Sequence, residues 1–386
     1  MDGKGGEANL KLLLVTFDPP QNVGGVEGRA NYYTKCLRDL GHTVDVISFS
    51  PDGSYSREEL HGAPLWRFPS SSRSAFKALR RTRNIIRSES LNSVFLLSGA
   101  ITFYGALLLG YARLTGIETV SFYYGKDILT SRKKSISSRF FLWISPKLSR
   151  TIAVNSNYTA SLLPKRYAKK TKLLYPAVDP SALNAVSEAP QKKSAAEPGG
   201  SYVLLFVGRL VKRKGVDDLL NAFKILFDKL PDSSSLEIVG DGPELENLQA
   251  RACELGIEER VKFYGKLTGD RLYERYARCS VFVMPSKTTE TDVEGFGTVF
   301  LEAGLFGKPS VGTFSGGIPE AVIDGETGLL VPEGDVGLLS SALERLFIYP
   351  DLRLRLGNAA KERVFSQFTW DKSSKTLISF FSERGM

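Results

Sequence analysis

YVLLFVGRLVKRKGVDDLLNAFKILFDKL, residues 202–230, joins an uninterrupted apolar run to a basic loop and then to an amphipathic segment. The apolar run at residues 202–207 is typical of a parallel strand that is covered on both faces. From Val216 onward the apolar residues recur at helical spacing, which predicts a helix over residues 216–230. A buried strand that leads into a helix through a short loop is the first half of a βαβ unit. This stretch therefore predicts an α/β fold.

Similar units lie on both sides of this stretch. Towards the N-terminus, residues 10–17 (LKLLLVTF) and 43–49 (TVDVISF) predict strands around a helix at residues 28–40. Further strands are predicted there at residues 94–97, 119–123, 151–154 and 172–175. Towards the C-terminus, LEIVG, VKFYG, VFVMPS and PSVGT predict strands that alternate with helices. The chain is therefore expected to form two doubly wound, Rossmann-like domains.

A change of composition marks the expected domain boundary. Residues 183–200 (LNAVSEAPQKKSAAEPGG) are rich in Ala, Ser, Pro, Gly and Lys, which is typical of an inter-domain linker. We assign residues 1–182 to an N-terminal domain and residues 201–368 to a C-terminal domain. A final helix within residues 369–386 is expected to pack back on the N-terminal domain. Ligands of such sheets bind at the carboxyl ends of strands, so we expect a deep cleft between the domains to hold the site.

Composition excludes several classes of protein. The 386 residues are 42% hydrophobic and 24% charged, an ordinary globular balance. Three distant cysteines (Cys36, Cys253 and Cys279) form neither a disulfide framework nor a metal-binding pair, and two histidines are too few for a His-rich site. The first ten residues lack the apolar core of a signal peptide, so we expect a cytoplasmic protein. Residues 94–112 carry no charge, but Ser98-Gly99-Ala100 divides them into a predicted strand, turn and helix.

Charge is distributed unevenly along the chain. Residues 1–180 contain 26 Lys and Arg against 13 Asp and Glu, whereas residues 181–386 contain 25 against 29. Two acid-free clusters lie in the basic half, one from Arg73 to Arg87 and one from Arg132 to Arg150. The second cluster also contains two phenylalanines and a tryptophan. Basic residues beside aromatic ones suit a solvated helix face or an anionic membrane surface, and they would also suit nucleic acid or a phosphorylated substrate. Of these partners we expect the membrane surface and no nucleic acid.

Two glycine-containing loops have the position and composition of phosphate sites. Residues 208–215 (GRLVKRKG) follow a strand and precede a helix, so backbone N–H groups and the helix dipole favour an anion there. Arg209 can form paired hydrogen bonds to phosphate oxygens, and Lys214 adds a point charge. Gly24 and Gly25 lie in the loop after the first predicted strand, where their lack of a side chain lets a ligand approach the backbone.

The segment ETDVEGFGTVFLE, residues 290–302, carries two glutamates at a fixed spacing. Glu294 is expected in a glycine-containing loop, and Glu302 about one turn inside a helix that begins near Thr298. The intervening residues separate the two carboxyls by about 10 Å or more, which is too far for the carboxyl pair of a retaining or an inverting glycosidase. We therefore interpret both as acceptors for the hydroxyl groups of one extended polar ligand. The loop SGGIPE at residues 315–320 repeats the arrangement of glycines followed by an acid.

Taken together, these motifs resemble the retaining glycosyltransferases of family four, which have the GT-B fold. The matching pieces come in the family's order: the Gly24-Gly25 loop, VGRLVKRKG, VGDGPE, EGFGTVFLE, SGGIPE and DGETGLLV. EGFGTVFLE and GRLVKRKG also resemble the phosphatidylinositol mannosyltransferase-like branch. The resemblance implies transfer of a hexosyl group from a UDP- or GDP-sugar to an acceptor hydroxyl, with retention and without a metal or other cofactor. The acceptor would be a sugar, a lipid or a lipid-linked molecule, and the enzyme would be cytoplasmic or peripheral on the membrane's inner face.

The resemblance also implies roles for single residues. Arg209 and Lys214 would hold the donor diphosphate, Glu294 would contact the donor sugar, and Glu302 would bind the ribose. Other donor-binding positions would be Gly24, Gly25, Lys266, Leu267, Phe296, Gly297, Thr298 and Val299. Many relatives carry His-Gly-x-Asp in the N-terminal domain, where this chain has Tyr124-Gly125-Lys126-Asp127. Tyr124 keeps hydrogen-bonding capacity but not a positive charge, and Asp127 is a candidate for the acceptor site.

Three other functions fit parts of the sequence. A nicotinamide oxidoreductase would use the Gly24-Gly25 loop, but the spacing is not GxGxxG and EGFGTVFLE stays unexplained. A nucleotide-sugar epimerase of the same fold would need acidic groups and histidines in the cleft, and the chain contains only His42 and His61. A non-catalytic membrane or nucleic-acid binder would explain the uneven charge but not the phosphate and hydroxyl motifs.

Overall fold

The computed structural model describes residues 9–17, 28–50, 55–69, 75–133, 135–186 and 202–382. The chain divides into two compact units. The first comprises Met1–Asn155, Thr159–Tyr175 and Trp370–Met386, and the second comprises Ser156–Tyr158 and Pro176–Thr369. Each unit contains one largely parallel sheet with helices, so the expected α/β class is confirmed.

The first unit is built on an eight-stranded sheet in the order β3-β4-β2-β1-β5-β6-β7-β8. All neighbouring strands are parallel except β3 and β4, which form an antiparallel hairpin. The strands are β1 Lys11–Thr16, β2 Thr43–Ser50, β3 Ser56–Leu60, β4 Ala63–Pro69, β5 Ser93–Leu96, β6 Glu118–Tyr123, β7 Thr151–Val154 and β8 Thr171–Leu173. Strands β1 and β5 are apolar and almost wholly buried, as their uninterrupted apolar runs predict.

Helices pack on this sheet and supply its core. They are α1 Arg29–Asp39, α2 Ala75–Ser88, α3 Phe103–Thr115, α4 Gly125–Lys133, α5 Ile136–Leu148 and, far along the chain, α14 Trp370–Ser382. The short helix α6 Asn157–Ser161 begins in the second unit and ends in the first. Helix α14 belongs to the first unit, where the Tyr33 hydroxyl lies 2.7 Å from the Ser373 hydroxyl and Trp370 stacks on Tyr32. The uncharged stretch at residues 94–112 forms β5, a turn and most of α3, as predicted. Within the described ranges, no helix combines the length and apolar character needed to cross a bilayer.

The second unit contains a six-stranded parallel sheet in the order β11-β10-β9-β12-β13-β14. Its strands are β9 Val203–Val207, β10 Ser235–Val239, β11 Val261–Phe263, β12 Val281–Met284, β13 Ser310–Thr313 and β14 Gly328–Val331. Its helices are α7 Val216–Leu226, α8 Leu245–Glu254, α9 Asp270–Arg278, α10 Thr298–Leu305, α11 Ile318–Ala321, α12 Val336–Ile348 and α13 Pro350–Gln367. Helix α7 ends four residues before its predicted end, and α10 begins at Thr298 as predicted.

The chain enters the second unit earlier in the sequence than its composition suggested. The second unit takes over at Pro176, whereas we expected the N-terminal domain to continue to residue 182. A short 3-10 helix at Pro180–Val186 packs against α9 of the second unit, which accounts for the difference. Most of the expected linker, residues 187–200, lies outside the described residues.

Candidate active site

The basic loop after β9 is held by close contacts with the chain that follows β12. A 3-10 turn at Lys212–Lys214 precedes Gly215, whose φ of +66° leads into α7. A Cβ atom at Gly215 would lie 2.1 Å from the carbonyl oxygen of Pro285, so no larger residue fits without displacing backbone. The N–H of Lys287 also donates to the carbonyl oxygen of Arg213 at 2.7 Å. These contacts fix the turn beside the loop that carries Glu294.

Glu294 is the centre of an ion-pair cluster. Its Oε2 accepts a hydrogen bond from Lys214 Nζ at 2.5 Å and another from Arg213 Nη1 at 3.1 Å. Arg213 Nε lies 3.2 Å from Asp292 Oδ2, so the guanidinium joins two carboxylates. The side chains of Lys214, Arg213 and Glu294 are only 12–14% exposed, which limits screening by water. The structure therefore brings Lys214 of the basic loop and Glu294, two residues expected at the donor site, into direct contact.

The protonation state of Glu294 follows from these neighbours. Burial alone would raise the pKa of its carboxyl, but the charges of Lys214 and Arg213 outweigh burial and hold the pKa below its ordinary value. Glu294 is therefore a carboxylate at neutral pH. It can accept hydrogen bonds from hydroxyl groups, as the sequence predicts, but it shares Lys214 with any anion that binds the loop.

Glu302 lies in a different environment, one turn into α10. Its Oε2 accepts a hydrogen bond from the buried Tyr276 hydroxyl of α9 at 2.6 Å. Burial raises the pKa of the Glu302 carboxyl, and the hydrogen bond from Tyr276 offsets only part of that effect. Tyr276 occupies one lone-pair region of the carboxyl and fixes its orientation, which leaves the second oxygen available for a hydroxyl donor.

The SGGIPE loop supports Glu294 through the backbone. The N–H of Gly317 donates to the Glu294 carbonyl oxygen at 2.9 Å. A Cβ atom at Gly317 would lie 2.2 Å from the carbonyl oxygen of Gly295. Both contacts need the two loops to approach more closely than a side chain would permit. Glu320 points elsewhere and accepts hydrogen bonds from the backbone N–H groups of Asn157 and Tyr158.

The remaining residues expected at the donor site are distributed around these loops. Arg209 is exposed in the basic loop, and Lys266 is exposed beyond β11 with Leu267 half-buried beside it. Phe296 is buried and its ring centroid lies 5.7 Å from that of Phe368, so its side chain is part of the core. Gly297, with φ of +88°, caps α10, whose first two residues are Thr298 and Val299. Gly24 and Gly25 lie outside the described residues.

Tyr124 and Asp127 belong to the first unit. Tyr124 is buried immediately before α4, with its ring centroid 4.6 Å from that of Phe122. The guanidinium carbon of Arg29, itself buried, lies 5.3 Å from the Tyr124 ring centroid. Asp127 is exposed in the first turn of α4, inside the helix and not at its N-cap. Tyr124 therefore packs within the fold, and Asp127 faces solvent.

Three side chains that contact the expected site residues or their neighbours were not predicted from the sequence. Arg213 and Tyr276 each hold a glutamate of the site, and Arg29 lies across two aromatic rings. Arg213 stands in the run Lys212-Arg213-Lys214, where residue type does not indicate which side chain turns inward. The position of Tyr276 in the sequence likewise does not indicate its contact with Glu302, since that contact joins two separate helices.

Two family models match this chain, and together they leave only its ends and residues 183–186 unmatched. "Glycosyltransferase Family 4" matches residues 23–182, and "Glycosyl transferases group 1" matches residues 187–363. The second match includes the basic loop, Glu294 and Glu302. The site described above therefore lies in the region that the group 1 model covers.

Similar proteins are aligned along the whole chain. A GDP-mannose-dependent alpha-(1-6)-phosphatidylinositol monomannoside mannosyltransferase of Mycobacterium tuberculosis is 29% identical over 381 residues, which are 96% of this chain and 97% of the relative. A glycosyltransferase structure from Rickettsia africae superposes with a TM-score of 0.77 at 18% identity, covering 98% of this chain and 99% of the other. A sucrose-phosphate synthase from Thermosynechococcus elongatus gives 0.75 at 20% identity, covering 97% and 99%.

These matches agree with the motifs and with the two parallel sheets. The structural likenesses support the fold, and the two family models support the class of activity. The chain therefore belongs to the glycosyltransferases that use nucleotide sugars, with a family 4 N-terminal half, a group 1 C-terminal half and the GT-B fold.

Proposed function

We propose that this glycosyltransferase moves a hexosyl group from a GDP- or UDP-sugar to a hydroxyl of a lipid or lipid-linked acceptor, with retention and without a metal. The observation that carries the proposal is the buried cluster of Lys214, Arg213 and Glu294. It combines cations for a diphosphate, from the turn before α7, with a carboxylate for sugar hydroxyls, from the loop before α10. An oxidoreductase or an epimerase is not favoured, because both halves of the chain match glycosyltransferase models.

GDP-mannose is the first donor to test. The Mycobacterium tuberculosis relative is named as GDP-mannose-dependent and is aligned over 97% of its length. Lys266 and Leu267, which we expect near the base, lie in a loop after β11. If the backbone of this loop makes most contacts with the base, the side chains do not identify the base. UDP-sugars therefore stay in the proposal as the second candidate class.

The reaction follows from the charges at the site. The bond between the anomeric carbon and the diphosphate oxygen breaks, and negative charge grows on the leaving diphosphate. Arg209 and Lys214 stabilise that charge. The acceptor hydroxyl attacks the anomeric carbon from the same face, and its proton passes to the departing phosphate oxygen. Glu294 orients the sugar hydroxyls, and Glu302 accepts from the ribose. No side-chain base is required in this sequence of events.

The acceptor is proposed to reach the enzyme at a membrane, through the two basic clusters of the first unit. Helix α2 buries Ala78, Thr82 and Ile85 and exposes its arginines. Phe76 on this helix is 66% exposed, and on α5 Phe140 and Trp143 are about half exposed. Exposed aromatic and basic side chains on the same helices are typical of surfaces that bind anionic lipid.

The two clusters are joined by a row of aromatic rings. The ring centroid of Phe76 on α2 lies 5.2 Å from that of Phe103 on α3. Phe103 is in turn 6.0 Å from Phe141 on α5. The two basic helices therefore flank a shared aromatic strip.

Asp127 is exposed in α4 and is our candidate for contact with the acceptor. We place the enzyme on the cytoplasmic face of the membrane, because its proposed donors, the nucleotide sugars, are available on that side.

A nucleotide-binding panel tests the donor half of this proposal. Calorimetry with GDP, UDP, ADP and NAD(H) is run first with a chelator and then with magnesium. We expect GDP or UDP to bind equally well in both, and Glu302→Ala to weaken that binding by at least about tenfold, the effect of one lost hydrogen bond to a charged group. If only NAD(H) binds, or if GDP and UDP bind only with magnesium, the proposed metal-independent use of a nucleotide sugar is wrong.

Product analysis tests the stereochemistry. The purified enzyme is incubated with GDP-mannose and a lipid extract containing phosphatidylinositol mannosides, and the anomeric proton of the product is assigned by NMR. We expect an α-linked product from the α-linked donor. A β-linked product would disprove retention, and free mannose as the sole product would disprove the transferase activity towards these lipids.

A further inference from the structure

A pocket of about 330 Å³ lies in the first unit, and none of the residues that line it is among those expected at the donor site. Its walls come from α4, from α5 and from the segment that follows α6. Arg139, Leu142 and Trp143 share one face of α5, since they are three and four residues apart. Ile128 and Leu163 are buried and close its inner end. The pocket is of the size that small ligands occupy in proteins.

Three arginines line this pocket, and no acid is among the residues that line it. They are Arg132 of α4, Arg139 of α5 and Arg166, and all three are exposed. One N–H of Arg132 donates to the carbonyl oxygen of Leu162, which holds this side chain at the rim with further donors unused. The guanidinium carbon of Arg166 lies 4.9 Å from the Tyr167 ring centroid. Guanidinium groups at one opening favour an anion with several oxygens.

The rest of the pocket is apolar, and the apolar character continues onto the outer surface of α5. Leu142, Leu162 and Pro164 form walls without a charged group. Ile136 is 85% exposed, and Trp143, which lines the pocket, is 48% exposed. The Lys147 ammonium lies 3.1 Å from the Trp143 ring centroid, so a cation also covers the tryptophan. A ligand that fills this site needs an anionic head and an aliphatic part.

We propose that this pocket binds one anionic phospholipid molecule of the bilayer, with the phosphate at the three arginines and part of an acyl chain against Leu142, Trp143 and Leu162. Charge complementarity supports the headgroup, and continuity with the exposed apolar side chains of α5 supports the chain. The inference rests on the proposed attachment of the first unit to a membrane. The inference goes beyond membrane attachment, because a general electrostatic attraction between the enzyme and a membrane needs no pocket and would not be saturated by a single lipid.

A soluble short-chain lipid separates the pocket from the membrane surface. Calorimetry measures binding of dihexanoylphosphatidylglycerol below its critical micelle concentration to the full chain. Dihexanoylphosphatidylcholine and inorganic phosphate are the comparison ligands. We expect saturable binding with one lipid per chain, and binding of both comparison ligands at least about tenfold weaker, since each lacks either the net charge or the chain.

Matched variants identify the residues responsible. Arg139→Gln with Arg166→Gln removes two exposed charges of the pocket, and Arg80→Gln with Arg83→Gln removes two from α2 outside it. We expect the first pair to weaken lipid binding at least about tenfold and the second to change it less than about twofold. Circular dichroism establishes that both variants are folded. Leu142→Glu, which places a carboxylate against the chain and phosphate, should abolish binding as well.

The outcomes distinguish the two proposals. If anionic vesicles bind the enzyme but the monomeric lipid does not, the pocket proposal is wrong and the membrane proposal stands. If neither binds, both are wrong. If inorganic phosphate binds as tightly as the lipid, or if the α2 pair weakens lipid binding as much as the pocket pair, the site is not a phospholipid site.

Discussion

Lys214 and Lys212 lie in the same 3-10 turn but in different surroundings. Lys214 is 12% exposed and paired with Glu294, whereas Lys212 is exposed. If Lys214 stabilises the leaving diphosphate, Lys214→Ala should lower kcat by about 10²–10³, the cost of losing one aligned charge-stabilising group. Steady-state kinetics with the donor that binds best measure the change.

Lys212→Ala is the matched control for that variant, since it removes the same charge from the same turn. We expect kcat to stay within about threefold of the wild type, because an exposed cation is largely screened. Equal losses in the two variants would show that net charge, and not the position of Lys214, matters. An unchanged kcat in Lys214→Ala would remove this residue from the site.

The Glu294 carboxyl should make the free energy of unfolding depend on pH in the acidic range. Its pKa is below the ordinary value of 4.5 when the chain is folded, because Lys214 and Arg213 outweigh burial. The unfolded chain therefore binds the proton more readily, and the stabilisation is present above 4.5 and is lost as pH falls through the lower folded-state pKa. Glu294→Gln should unfold at lower temperature near neutral pH, with a difference that shrinks on acidification.

Thermal unfolding followed across that pH range measures this difference. Glu302→Gln is the informative comparison, because burial raises the pKa of Glu302. The pH dependence that Glu302 adds to stability is opposite to that of Glu294. The folded chain holds the proton of Glu302 more readily than the unfolded chain, so stability falls as pH rises from 4.5. A melting-temperature difference between Glu294→Gln and the wild type that did not change with pH would contradict the ion-pair interpretation.

Helix α2 provides the test at the level of an element. Arg80, Arg81 and Arg83 are exposed, and replacing all three with Ser should weaken binding to vesicles containing anionic lipid by about 10²-fold, at about 1 kcal/mol for each basic residue near the surface. Sedimentation with vesicles measures the binding. Arg81 also covers the Tyr55 ring at 3.8 Å, so the fold of the variant is checked by circular dichroism.

The control for α2 uses three exposed cations of the second unit. Lys262, Arg278 and Arg345 are replaced together by Ser, which removes the same net charge. We expect this variant to bind vesicles like the wild type, because these residues belong to separate elements and form no cluster with aromatic side chains. Equal weakening in both variants would attribute binding to the total charge of the chain.

Elements with a strong local pattern were predictable, and those that depend on distant partners were not. The buried strands β1 and β9 and the start of α10 follow from apolar runs and a glycine. The β3–β4 hairpin was missed, because β3 (SREEL) contains four polar or charged residues and gains its place only by pairing with β4. Its turn uses His61 and Gly62 at positive φ, and His-Gly is not a frequent turn pair.

The candidate site divides in the same way. Lys214, Glu294 and Glu302 could be proposed because strand, glycine and acid follow one another along the chain. Arg213 and Tyr276 could not, since their contacts with Glu294 and Glu302 span 81 and 26 residues. Long-range contacts depend on how loops and helices meet, which a periodic pattern does not encode.

On the scale of the whole molecule, the uneven charge corresponds to two units with separate proposed ligands. The basic residues gather in the first unit on α2 and α5, and the pairs that hold Glu294 lie in the second. The return of α14 to the first unit ties the end of the chain to its beginning, with Ser373 beside Tyr33. A nucleotide and a membrane should therefore protect different parts of the chain.

Hydrogen–deuterium exchange on the full chain tests this division. GDP or UDP should slow exchange at residues 208–215 and 294–302, where we propose that the nucleotide binds, and should leave α2 and α5 unchanged. Anionic vesicles should slow exchange in α2 and α5 and leave the basic loop unchanged. Raising salt from about 0.1 M to about 1 M shortens the Debye length from about 10 Å to about 3 Å, so the vesicle footprint should disappear first. Nucleotide protection of α2, or vesicle protection of Lys212–Lys214, would show that one surface serves both ligands and would contradict the assignment of donor and membrane to separate units.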